Sequence, residues 1–318
     1  MPGSVGGPPA TFDCLWCGTK WTTRSPDDLE GWARLCPDCL GRAGDNPFLR
    51  FRLRDALTAR AAAGDGPDGA APQPAPDAPT APTAGAGLRT GSAQDRDAEM
   101  IAYYEARAGE YDDWYLRRGR YARGPIHDAA WDAELDGAGT WLDGLPIHGE
   151  IVELAGGTGW WSPLLASKGE LSIYDAAAAP LERARERLVA HRLRAHLHVR
   201  NAWEEPDRQV DAVFFGFWLS HVARDRTDAF LALARRWLKP DGILAFMDSL
   251  PDPQSGAADN DPPAADMAIR RLADGRQFTI VKVFRDPAEL EDALRAAGFR
   301  RVRVTTTGRF FLLGEARA

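Results

Sequence analysis

The chain is poor in cysteine and has none beyond residue 39: Cys14, Cys17, Cys36 and Cys39 are the whole set in 318 residues. It lacks any apolar run long enough to span a bilayer. The longest runs, such as Ala212–Leu219, suit buried strands. The opening MPGSVGGPPA has neither a basic n-region nor an apolar h-region, so no secretory signal is expected there. Positive charge is also short. The formal net charge of −7 excludes a surface that coats nucleic acid, while leaving room for a local basic patch. A cytoplasmic location is expected, with no membrane partner and no general nucleic-acid partner.

The cysteines that are present fall into two C-x2-C pairs, in FDCLWCG and LCPDCLG. That pairing has the spacing of a zinc site. Four thiolates on two tight turns would give zinc a closed tetrahedral shell. Gly18 and Gly41 lie just past the second cysteine of each pair, where a zinc knuckle needs positive φ. A thioredoxin-like redox pair would need a βαβ setting, which does not surround these residues, and disulfides would call for an export signal. The expectation is a small zinc ribbon, with Cys14, Cys17, Cys36 and Cys39 as ligands of a structural Zn2+.

Length suggests about two domains. The composition divides the chain into the ribbon and a following helix over 11–63, an Ala/Pro/Gly-rich linker over 64–94, and a larger domain over 95–318. The linker has too few large apolar side chains to offset the entropy of ordering it. The large domain opens with a helix expected over Arg96–Tyr115, where Met100, Tyr103, Tyr104, Arg107 and Tyr111 recur at helical intervals. A second helix is expected over His127–Trp141. Strands and helices then alternate, which implies an α/β fold with a mostly parallel sheet covered on both faces. The acidic, proline-rich stretch after Leu250 reads as a flexible surface loop. Two strands are expected around Asp274–Gly275, a helix over Pro287–Ala297 with Asp286 as N-cap, and a closing antiparallel hairpin.

The strongest chemical signal is IVELAGGTGWW, residues Ile151–Trp161. A buried strand runs into a glycine-rich turn and then a helix. Such a turn lets backbone approach a ligand closely. The third glycine of a dinucleotide fingerprint is missing, because Ser162 occupies its place, and the Walker Lys-Ser/Thr pair is absent. The next strand ends in Asp175, where a carboxylate can accept two hydrogen bonds from a ribose diol. A helix N-cap is the alternative role for that residue.

ELAGGTG resembles the first motif of class I S-adenosylmethionine (SAM) methyltransferases. The resemblance extends through YYEARAGEYDDWY, IYDAAAAPLERARERL, VDAVFFGFWLSHV and WLKPDGILAFMD, from about residue 100 to the C-terminus. It is similar to the small-molecule branch that includes the ubiquinone/menaquinone C-methyltransferases. The resemblance implies a Rossmann-like methyltransferase sheet and SAM as cofactor. It implies that Glu153 binds the methionine amino group, that Ala155, Gly157 and Gly159 line the methionine and ribose, and that Asp175 holds the ribose hydroxyls. Asn201 and Ala202 would meet the adenine, flanked by Trp203. Tyr103, Tyr104 and Tyr111 would lie on a helix covering the cofactor, or else form a stripe packed on the sheet. Ala155, Asn201 and Gly216 depart from the family pattern.

Methyl transfer needs positioning and exclusion of water, and a base only if the acceptor must lose a proton. His221, just past the fourth strand, is the candidate catalytic base or acceptor-orienting residue, with packing beside Val222 as the alternative. Trp160, Trp161 and Trp218 are candidates for an acceptor pocket or for the core. Asp261-Pro262-Pro263 echoes an amino-methylating motif but follows the wrong strand and lacks its aromatic residue. Cytosine C5 methylation would need a nucleophilic cysteine, and all four are assigned to zinc. The expected function is methylation of a small-molecule acceptor. The alternatives are methylation of a protein or RNA recruited through the ribbon, and a non-catalytic cofactor-binding module for recruitment or sensing.

Overall fold

A computed structural model describes residues 11–13, 19–22, 92–260 and 262–318. The chain divides into two compact units, Met1–Gly87 and Leu88–Ala318. In the first, β1 (Thr11–Asp13) and β2 (Lys20–Thr22) pair antiparallel, with Phe12 opposite Trp21. The expected zinc ligands Cys14, Cys17, Cys36 and Cys39 lie outside the described residues, as does the expected helix within 46–63.

The second unit is a layered α/β domain. Its helices are α1 (Ala93–Arg107), α2 (Asp112–Tyr115), α3 (Pro125–Gly144), α4 (Ser162–Ala166), α5 (Ala178–Ala190), α6 (Thr227–Arg236) and α7 (Pro287–Ala296). Its strands are β3 (Gly149–Leu154), β4 (Gly169–Asp175), β5 (His196–Val199), β6 (Val210–Gly216), β7 (Leu238–Ser249), β8 (Met267–Arg271), β9 (Gln277–Val281), β10 (Arg300–Thr306) and β11 (Phe311–Arg317). Seven strands form one sheet in the order β10-β11-β7-β6-β3-β4-β5, while β8 and β9 form a separate hairpin. The strands from β3 to β7 run parallel, and β11 and β10 add antiparallel at one edge. This is a Rossmann-like sheet, mostly parallel, as the alternating pattern implied, with an antiparallel C-terminal pair. The strand order reverses at β3, which opens a crevice at the carboxyl ends of β3 and β6, where such sheets bind ligands.

The central strands are buried because they face helices on both sides. Val210, Ala212, Val213, Phe214 and Phe215 of β6 are fully buried. Phe215 stacks on Phe246 of β7, ring centroids 5.3 Å apart, and both pack in one core with Phe230 of α6. Helix ends follow the expected chemistry. Ser92 and Asp95 form a reciprocal capping box at α1, and the Asp286 carboxylate accepts from the amides of Ala288 and Glu289 at α7.

Two expectations are corrected. The single helix expected over Arg96–Tyr115 is broken: α1 ends at Arg107, and a turn containing Gly109 leads into α2. The break redirects the chain so that Asp112 meets Thr158 and Arg187 rather than continuing along α1. The loop after Leu250 is tied down rather than free. Arg117 donates to the carbonyls of Gln254 and Ser255, Trp114 Nε1 donates to Ser255, and Arg120 pairs with Asp259. Local composition hid these bonds because their donors sit more than a hundred residues earlier in the chain. Among the described residues, no helix is long and apolar enough to cross a membrane.

Packing is tight at Gly314 of β11, where a Cβ would lie 2.1 Å from Phe246 Cζ. Gly314→Ala should therefore displace the Phe246 ring and lower unfolding free energy by ~1–3 kcal/mol. Urea titration followed by tryptophan fluorescence would measure it, and an unchanged midpoint would refute this account of the packing.

Candidate active site

The crevice is built from four strand ends. After β3 the chain turns through Ala155 to Gly159 before α4. Ala155 and Gly157 both take left-handed backbone, at φ 50° and 57°. For a non-glycine residue that costs about 1–2 kcal/mol, so the glycine pattern of the turn has a local cause and Ala155 bears strain. Gly159 has a packing reason as well: a Cβ there would lie 2.7 Å from Ala184 Cβ on α5.

Asp175, at the end of β4, closes this turn from the side. Its Oδ2 accepts from the Gly157 amide at 2.8 Å and its Oδ1 from the Ala177 amide at 2.9 Å. Each oxygen keeps a further lone pair for a ligand hydroxyl. Burial raises the Asp175 pKa to about 6, against the pull of those backbone donors. Beyond β5, the Asn201 carboxamide oxygen accepts from the Trp203 amide at 3.0 Å. Arg226 lies over the Trp203 ring, 3.8 Å from its centroid, and holds both oxygens of Asp97 at 2.9 Å. Asp97 belongs to α1, so this pair fastens the covering helix across the crevice.

Ala155, Gly157, Asp175, Asn201, Ala202, Tyr111 and His221, all singled out from the sequence, line one cavity together. Trp203 and Trp218 also border it. Two expected residues stand elsewhere. Glu153 is buried behind the turn, where Ser162 Oγ donates to its Oε2 at 2.5 Å, and burial raises its pKa to about 8. Gly159 serves the contact with α5. Trp160 and Trp161 are core residues: the Trp160 ring stacks on Tyr115 at 4.2 Å, and a Cβ on Gly216 would lie 3.1 Å from Trp161 Cδ1.

A second, larger cavity of about 360 Å³ adjoins the first. Its walls come from α1, the β8–β9 hairpin and the loop after β7. Tyr104, Tyr111, Phe217 and His221 border both cavities and form the seam between them. At the seam, His221 Nδ1 lies 2.7 Å from the Val281 carbonyl. A carbonyl only accepts, so Nδ1 carries the proton and Nε2 is the acceptor. Tyr104 Oη, 2.7 Å from Nε2, is therefore the donor. Burial, assisted by the nearby Lys282 cation, lowers the His221 pKa to about 3, so the imidazole is neutral.

The second cavity also holds Arg107, Arg270 and Lys282, which sequence reasoning did not place at the site. Arg107 was visible only as a member of the tyrosine stripe. Arg270 and Lys282 sit on and just past a hairpin whose position against α1 is a tertiary fact. Asp97 was missed for the same reason, because its partner Arg226 lies 129 residues away.

Residues 151–242 match the family described as a methyltransferase domain. No curated protein matches the chain. Among solved structures it is similar to that titled "DhpI-SAH complex structure", with 32% identity over 71% of this chain and 98% of the other, at a TM-score of 0.56. It is equally similar to "DhpI-SAM-HEP complex", with 32% identity over 72% of this chain and 100% of the other, at a TM-score of 0.58. The first cavity presents the Asp175 carboxylate with lone pairs to spare, the Asn201 carboxamide, and aromatic walls from Tyr104, Tyr111, Trp203, Phe217 and Trp218.

Asp175→Ala should weaken S-adenosylhomocysteine binding roughly tenfold or more, because charge-assisted hydrogen bonds are lost. The pH dependence follows from the raised pKa. Below about pH 6 the acid is protonated in the free protein, so wild-type affinity should rise from about pH 5 to about pH 7 and then level off. Asp175→Asn should flatten that rise. Calorimetric titration would check both, and a folded Asp175→Ala protein with unchanged affinity would remove the ribose role.

Proposed function

The chain belongs to the class I S-adenosylmethionine-dependent methyltransferases, and we propose that it transfers the methyl group to a small-molecule acceptor held in the second cavity. One observation carries this reading. The larger cavity, about 360 Å³, is walled by the chain's own α1, hairpin and loop, and meets the cofactor cavity at Tyr104, Tyr111, Phe217 and His221. A space of that size suits a compact organic molecule. The loop bonds that close it, from Trp114, Arg117 and Arg120, leave little room for a folded macromolecule.

In this reading Asp175 holds the ribose hydroxyls, Asn201 and Ala202 meet the adenine, and Ala155, Gly157 and Tyr111 line the methionine arm. When bound, S-adenosylmethionine supplies an electrophilic methyl group on a positively charged sulfur. The protein's part is orientation and exclusion of water around that group. Asp97 and Arg226 keep α1 closed over the crevice. His221 acts as a positioning residue: its Nε2 lone pair holds the Tyr104 hydroxyl at the seam. Glu153 supports the glycine turn from behind, through Ser162. An uncharged quinol, the acceptor suggested by resemblance to the ubiquinone/menaquinone branch, would leave Arg107, Arg270 and Lys282 in the second cavity without a complementary group.

For the N-terminal unit, we propose a structural Zn2+ on Cys14, Cys17, Cys36 and Cys39. The paired C-x2-C spacing supports this, and so does the antiparallel pairing of β1 with β2, since Cys14 and Cys17 fall between those strands in sequence.

Labelled methyl donor, incubated with the protein and a cell extract separated into small-molecule, RNA and protein fractions, should place the label in the small-molecule fraction. Label confined to RNA or protein would overturn the acceptor reading in favour of recruitment through the ribbon. Metal analysis should find near-stoichiometric zinc that is lost in Cys36→Ser. Zinc retained by a chain lacking residues 1–63 would refute the ribbon assignment.

A further inference from the structure

The charges around the second cavity do not balance. Arg107 is 9% exposed, yet no carboxylate pairs with it among the described residues. Its Nη2 donates to the Tyr121 hydroxyl at 3.1 Å, its guanidinium lies 4.5 Å from the Tyr111 ring centroid, and its buried Nε has no hydrogen-bond partner. Among the described residues, Arg270, on β8, makes one 3.5 Å contact from Nη1 to the Ile269 carbonyl and no ion pair. Lys282, just after β9, donates to Ser220 Oγ at 2.9 Å and Ser249 Oγ at 3.3 Å, and its Nζ stands 3.8 Å from Asp248.

The acidic groups nearby have other partners: Glu110 accepts from the Ala273 amide at 2.9 Å and stands 3.8 Å from Arg120. Asp248 faces Lys282 and also accepts from the amides of Ser220 and Ser249, both at 2.7 Å. Asp252 pairs with Arg309 at 2.7 Å. Crediting Asp248 to Lys282 leaves two guanidinium groups facing one cavity with no ion-paired carboxylate among the described residues. Taking unpaired cations out of water is costly, and burial already lowers the pKa of Lys282 to about 8 and pushes Arg270 down. A bound anion would offset that cost. Guanidinium forks match the planar or tetrahedral arrangement of oxyanion oxygens. The hydroxyls of Tyr103 and Tyr121 add neutral donors around the same space, while that of Tyr104 is committed to His221.

We propose that the methyl acceptor is an oxyanionic small molecule, carrying a carboxylate or a phosphoryl-type group that is held by Arg107, Arg270 and Lys282. This rests on the reading of the second cavity as the acceptor site. Arg107 and Arg270 supply the unsatisfied charge and the forked donors, and Lys282 adds a point charge beside the seam at Ser220 and His221. The anionic group would fix the acceptor's orientation, with the rest of the molecule reaching toward Tyr104 and Phe217.

Two measurements test it. The full-length protein, saturated with S-adenosylhomocysteine, is titrated with inorganic phosphate and with acetate at constant ionic strength in chloride. Saturable binding of either probe, weakened about tenfold or more in Arg270→Gln and partly restored in Arg270→Lys, is expected. The preferred probe tells a phosphoryl-type group from a carboxylate. Equal S-adenosylhomocysteine affinity in both variants shows that the fold and the cofactor site are intact. No saturable binding of either probe, or binding unaffected by Arg270→Gln, would overturn the proposal. In the second measurement, extract small molecules are split on an anion-exchange resin before incubation with labelled methyl donor. A labelled product from the retained pool supports the oxyanion. Label arising only from the unretained pool refutes it while leaving the small-molecule reading standing, and label only in macromolecules refutes both.

Discussion

The carboxylate of Asp112 joins parts of the chain that local folding would leave apart. One oxygen accepts from Thr158 Oγ1 at 2.6 Å, in the glycine turn, and the other pairs with the Arg187 guanidinium on α5. Arg187 Nε in turn donates to the Thr158 carbonyl at 3.0 Å. Through this knot the segment after α1 is fastened to the end of β3. α1 then lies across the crevice, where Asp97 reaches Arg226, Glu99 accepts from the Thr279 amide, and Tyr104 reaches His221. Arg187 is buried while Asp112 is 31% exposed, so removing one partner should cost less than the ~3–5 kcal/mol typical of a fully buried pair. Without the knot the crevice would open to water, which would dissipate the electrostatics of the site and compete for its hydrogen bonds.

Enclosure explains why the titratable groups depart from their ordinary values in opposite directions. Burial disfavours whichever form is charged. It raises the carboxyls, Glu153 to about 8 and Asp175 to about 6, and it lowers the bases, Lys282 to about 8 and His221 to about 3. A neutral His221 is what lets Tyr104 donate to Nε2, and so keeps the tyrosine hydroxyl fixed at the seam. Asp175 combines a raised pKa with two backbone donors. The two cavities differ in charge: the first presents the Asp175 carboxylate and the Asn201 carboxamide, and the second presents Arg107, Arg270 and Lys282 beside it.

The parallel sheet and its glycine turn were legible in the sequence because their causes are local. Buried parallel strands need continuous apolar runs, as in VDAVFFG, and a turn with left-handed backbone selects glycine, as at Gly157. Asp175 was legible for a related reason, since its place is set by the length of one strand. The break between α1 and α2 was not. Tyr111 keeps the helical interval from Tyr104, so periodicity runs through a turn that long-range bonds to Asp112 impose. The loop after β7 was equally opaque, because its proline-rich composition says nothing of the Arg117, Arg120 and Trp114 donors that hold it.

By itself, the sequence determined the layered α/β fold, the crevice at the end of β3, and many of the residues that line the first cavity. Hydrophobic periodicity, turn chemistry and strand length are short-range properties, written in neighbouring residues. Only the tertiary structure decided that Glu153 lies behind the wall and that His221 has its lone pair engaged by Tyr104. It alone brought Arg107, Arg270 and Lys282 to one cavity. Those three come from α1, from β8 and from the segment just after β9, and nothing in the spacing of residues along a chain records which side chains meet when a hairpin folds back onto a helix. The chemistry of the second cavity was set by that encounter.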